Sequence, residues 1–285
     1  MKDVITLPDG RSLGFAQYGN PNGVPLVFFH GTPSSRYLHH PDDDWTASLN
    51  VRLITVERPG FGLSDHKPGR KLLDWPDDVI CLADEFGLSQ FAVAGISGGG
   101  PYAAACAYKT PHRLTKVGII SGVGPTDVEE NIIGLYESRK AAVMVARHAP
   151  WLLRPLIWLL QNPQRNIEKY FQKIYNQSSQ ADREILSQPF MKSMFLRSWQ
   201  EGTRSGVCGF AQDGIIFSHP WGFQLGDIKA RVCIWHGDQD TSTPLIMARC
   251  IADQIPDCQL RVIPGKGHFL LFDQWDEILS TLTST

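Results

Sequence analysis

The sequence predicts an α/β fold: a mostly parallel sheet with helices on both faces and a helical cap inserted late in the chain. Short β-branched runs alternate with helix-like stretches from residue 13 to about residue 120. The alternation stops after Gly122-Val123-Gly124-Pro125, where helical texture takes over, and resumes near Arg231. Alternating strands and helices favour a parallel sheet, because each helix carries the chain back to the same end.

Residues 13–18, 25–29 (PLVFF) and 51–57 (VRLITVE) read as strands, being short and rich in β-branched and aromatic residues. A helix is expected over 76–86. Pro76 suits a first turn, Asp77 and Asp78 suit its positive dipole end, and Val79, Leu82, Ala83 and Phe86 share a face. Strand 91–96 (FAVAGI) leads into a small-residue helix from Gly98, followed by strand 114–120. Helical stretches are expected at 131–147 and 181–201, and this region holds Trp151, Trp158, Trp199 and Trp221. Strand 231–236, helix 244–254, strand 259–263 and a closing helix 269–282 complete the pattern. The division is therefore a core of 1–124 and 222–285 with a cap of 125–221.

A net charge of −2 leaves no basic footprint for nucleic acid. The longest apolar run, 151–160, is broken by Arg154 and Pro155 and is shorter than the roughly 20 residues a bilayer span needs. No signal-like leader is visible, and the six scattered cysteines form no C-x-x-C pair. A cytoplasmic location with free thiols is expected.

The chemistry concentrates at Gly95-Ile96-Ser97-Gly98-Gly99, a G-x-S-x-G between a strand and a helix. A serine on such a sharp turn projects its hydroxyl above the sheet. It still needs a base. Of nine histidines, His268 is best placed, after Gly265-Lys266-Gly267 at the end of the last strand. His39, His40, His66, His112 and His148 read as solvated, and His39-His40 with Asp42, Asp43 and Asp44 as a solvated loop with no metal-ligand spacing. Asp240 in WHGDQD is the preferred orienting carboxylate over Asp238, which sits nearer the strand and suits a turn role. Thr32 and Gly98 offer backbone N–H groups for an oxyanion hole. GISGGG lacks the Lys-Ser/Thr ending of a P-loop.

HGTP, ERPGFGLSD, GISGGGPYA, WHGDQD-TSTP and GKGHF together resemble the α/β-hydrolase superfamily over nearly the whole chain. The resemblance implies a Ser97–His268–Asp240 triad, a lid over 125–221, no cofactor and no metal. One departure is Glu57, where relatives often carry Asp. An aspartate nucleophile, as in epoxide hydrolases, is disfavoured by Ser97. The expected activity is hydrolysis of a small or medium carboxylic ester, with amide, thioester or carbon–carbon bonds as alternatives on the same triad. A ligand receptor with little turnover is the alternative of another class. The expected partner is a small ester-like molecule, with no stable membrane insertion, and the oligomeric state stays open.

Overall fold

The computed structural model describes residues 3–284. Its eight strands are β1 (Val4–Thr6), β2 (Ser12–Gly19), β3 (Val24–Phe29), β4 (Val51–Val56), β5 (Phe91–Ile96), β6 (Leu114–Ile120), β7 (Val232–Gly237) and β8 (Cys258–Ile263). They form one sheet in the order β1-β2-β4-β3-β5-β6-β7-β8. β2 runs antiparallel to β1 and β4, and every other pairing is parallel.

Period-two alternation sorts the strand side chains onto the two faces. Val27 and Phe29 pack with helices Trp75–Glu85 and Gly100–Lys109 on one face, whereas Leu26 and Phe28 pack with helix Trp275–Thr283 on the other. The run of small residues in Gly100–Lys109 keeps Ala103 to Ala107 fully buried beside β5 and β6.

Between β6 and β7 the chain runs through seven α-helices and a 3-10 turn, Leu225–Asp227. The expected helix over 131–147 is two, Glu130–Ile133 and Glu137–His148, parted at Gly134. The stretch 181–201 is also two, Gln180–Leu186 and Pro189–Gly202, because Pro189 opens a new first turn. Helix Ile167–Gln177 and strand β1 were not anticipated, and the closing helix breaks at Gln274. Pro155 does not interrupt helix Pro150–Leu160. Among the described residues, no helix is long and apolar enough to cross a membrane.

The expected solvation of His39 and His40 is corrected. His39 is half-buried, stacked on Tyr18 with ring centroids 3.6 Å apart, and His40 packs edge-on against Trp45. The two imidazoles therefore engage separate aromatic partners.

Candidate active site

Ser97 follows β5, Thr32 follows β3, Asp240 follows β7 and His268 follows β8. These strands are parallel, so the four residues gather at the C-terminal ends of the strands, where open α/β sheets hold their ligands. Ser97 has a φ of +55°, a left-handed conformation that costs a non-glycine residue about 1–2 kcal/mol. The motif glycines permit this turn by close approach. A Cβ on Gly95 would collide with the Gly99 carbonyl, and one on Gly98 with the Thr32 hydroxyl.

Asp240 is buried and fully engaged. Its Oδ1 accepts the N–H groups of Ser242 (2.7 Å) and Thr243 (2.8 Å). Its Oδ2 accepts His268 Nδ1–H at 2.8 Å and lies 2.8 Å from Thr243 Oγ1. Burial alone would raise this carboxyl, but the His268 ring, His236 and the Thr243 N–H bring it down to about 2. With Nδ1 as the donor, His268 Nε2 is left as an acceptor. Ser97 and His268 line one cavity of about 250 Å³, and no direct hydrogen bond joins them among the described residues. Asp238 is exposed and accepts the Gly265 N–H at 2.8 Å, tying the two loops together.

Thr32 and Gly98 line the same cavity. The Gly98 N–H falls in the first turn of the 3-10 segment Ser97–Gly99, where donors have no partner within their own helix.

Residues that sequence reasoning missed surround these. Asp182, from helix Gln180–Leu186, accepts the backbone N–H groups of His268 (2.9 Å) and Phe269 (2.7 Å). Asp213, from helix Cys208–Phe217, is fully buried and bridges Arg58 (2.8 Å) and Arg70 (2.5 Å). It also accepts the hydroxyls of Thr32 and Tyr102, each at 2.6 Å. Burial would raise the Asp213 carboxyl, but Arg58 and Arg70 hold it far below the usual carboxylate range. Glu57 is buried against Arg36 at 2.8 Å and does not line the cavity. His236, also buried, presents Nε2 to the Thr243 carbonyl at 2.7 Å, and burial lowers its pKa, so it stays neutral beside Asp240.

The sequence profile of the alpha/beta hydrolase fold matches residues 24–274. The chain belongs to the α/β-hydrolase family. Within it, the chain is 30% identical over 136 residues to a non-heme chloroperoxidase of Streptomyces lividans, a match covering 45% of this chain and 47% of that protein, so the chain spans about half the length of that relative. It is 22% identical over 256 residues to a 2-hydroxymuconate semialdehyde hydrolase of Pseudomonas putida, covering 87% and 81% respectively. The esterase of Exiguobacterium antarcticum superposes with a TM-score of 0.71 at 17% identity, covering 99% of this chain and 98% of that one. At that identity the likeness is one of fold, and α/β-hydrolases of one fold act on different bonds.

Proposed function

We propose that this α/β-hydrolase is a serine esterase that works through an acyl-enzyme, with Ser97 as nucleophile, His268 as base and Asp240 as its orienting partner. The observation that carries the reading is the 2.8 Å Asp240–His268 pair, buried beside the cavity that also holds a left-handed Ser97.

Ser97 Oγ attacks the ester carbonyl carbon as His268 Nε2 takes its proton. Asp240 keeps Nδ1 protonated and stabilises the imidazolium that forms. The negative charge on the carbonyl oxygen meets the Thr32 and Gly98 N–H groups, each such donor being worth roughly 3 kcal/mol. His268 then protonates the leaving alkoxide. A water, deprotonated by the same nitrogen, attacks the acyl carbon and frees Ser97.

The segment 125–221 acts as the cap. It leaves the sheet after β6, at the strand ends that carry Ser97, and contributes cavity-lining residues Leu153, Ile157, Phe195 and Trp199. The test is a panel of 4-nitrophenyl esters together with fluorophosphonate labelling. Turnover and labelling at Ser97 are expected. Labelling without turnover of any ester would move the activity to another bond, and neither would favour a receptor.

A further inference from the structure

Among the described residues, the cavity wall contains two cationic side chains and no carboxylate. Arg139, on helix Glu137–His148, and Lys173, on helix Ile167–Gln177, line it together with Ser97 and His268, and no Asp or Glu does. Among the described residues, neither cation has an ion-pair partner. Arg139 donates Nη1 to the Ser242 carbonyl at 2.5 Å, and its Nη2 lies 3.5 Å from Ser242 Oγ. Among the described residues, the Lys173 ammonium makes no hydrogen bond, and its surroundings leave it partly buried. Asp240, the carboxylate whose charge acts on Arg139, has both oxygens committed to His268 and its own loop.

Lys173 is not a stray surface residue. Tyr170, Lys173, Ile174 and Gln177 recur at helical spacing and all face the cavity. Burial lowers the pKa of both cations, and for Lys173 the neighbouring Arg139 charge adds to the effect. Two like charges facing one cavity whose other polar lining groups are uncharged oppose each other and lose hydration. A ligand anion relieves both penalties at once.

We infer that Arg139 and Lys173 form a carboxylate subsite, and that the substrate is an ester whose acyl chain ends in a carboxylate, as in a monoester of an aliphatic dicarboxylic acid. The inference rests on the ester-hydrolase reading and names its substrate class. Apolar wall residues such as Ala142, Leu153 and Ile157 suit the methylene chain between the two ends. Arg139 supplies a planar fork that matches a carboxylate, while Lys173 supplies a point charge.

The test compares mono-4-nitrophenyl esters of adipic and suberic acids with the neutral 4-nitrophenyl hexanoate and octanoate. The wild type should favour the acid-terminated ester of at least one length by about tenfold or more in kcat/KM. Lys173→Met should lower that ratio by about tenfold, and Lys173→Arg should restore most of it. A ratio of one or less at both lengths, or one untouched by Lys173→Met, overturns the subsite while leaving the esterase reading standing. If no ester is turned over, the esterase reading fails and the subsite is read by binding. Free adipate should then slow fluorophosphonate labelling of Ser97 in the wild type and not in Lys173→Met. An equal effect in both proteins, or none in either, overturns it.

Discussion

Asp213 accepts the hydroxyl of Thr32 at 2.6 Å, which joins the helical segment between β6 and β7 to the loop that follows β3. Arg58 strengthens the tie. Its guanidinium reaches Asp213, the Thr32 hydroxyl and the carbonyls of His30 and Gly31. Asp182 makes a second tie from the same segment, to the main chain of His268. The Thr32 loop and the His268 loop are thus both held by carboxylates from the segment between β6 and β7.

Asp213→Asn keeps the shape and removes the charge, leaving Arg58 and Arg70 buried without it. The expected cost is about 3 kcal/mol of stability, together with a lower kcat as the Thr32 loop loosens. Thermal melts and ester kinetics check this, and a variant with wild-type Tm and kcat would show that the cluster is not needed.

Ser97→Ala should keep the fold and reduce hydrolysis by about 10³-fold or more. Ser97→Gly should be equally inactive yet melt above Ser97→Ala, because glycine accepts a φ of +55° without strain. Equal melting temperatures would indicate that the elbow stores no strain.

The two aspartates of the β7 loop differ in what they hold. Asp240→Asn breaks the pair with His268 and should reduce kcat by about 10⁴-fold, whereas Asp238→Asn alters one exposed turn contact and should cost far less. The reverse ranking in steady-state kinetics would assign the orienting role to Asp238.

Seven of the eight strands and the triad candidates were legible because each rests on local pattern, whereas β1 is too short to show one. β5 and the elbow are contiguous, and His268 and Asp240 follow their strands directly. Asp182 and Asp213 were not legible, since their partners His268 and Thr32 lie 86 and 181 residues away. Within the expected lid over 125–221, local pattern does not tell which side chains meet the cavity. Trp151 and Trp158 are 71% and 53% exposed, while Leu153 and Ile157 of the same helix line the cavity. Breaks at Gly134 and Pro189 depend on single residues that periodicity averages over.

Burial lowers the pKa of His39 to about 4, below its ordinary 6.5, so the folded protein keeps this ring neutral where the unfolded chain protonates it. The unfolded state then binds more protons between about pH 6.5 and 4, and stability falls as pH drops through that window. His39→Phe keeps the stack on Tyr18 and removes the titration. Denaturant unfolding at pH 7 and pH 4.5 should show the wild type losing about 2 kcal/mol more than the variant. Equal losses would mean that other groups dominate the acid limb.

The helix Pro189–Gly202 divides its apolar residues between two tasks. Phe195 and Trp199, one turn apart, line the cavity, whereas Met191 and Met194 are buried without lining it. Trp199 also packs edge-on against Tyr170, so its indole lies between helices Ile167–Gln177 and Pro189–Gly202 as well as in the cavity wall. Trp199→Phe should therefore enlarge the cavity modestly and shift the optimum toward longer acyl chains. Met194→Leu, a near volume-conserving change away from the cavity, should leave the profile in place. Ser97 should react with a small fluorophosphonate at similar rates in both, because neither change alters Ser97, His268 or Asp240. The measurement is kcat/KM across 4-nitrophenyl esters from acetate to decanoate. A profile in Trp199→Phe that overlays the wild type would mean that acyl length is selected by the loops at the strand ends, with the helix serving only to cover them.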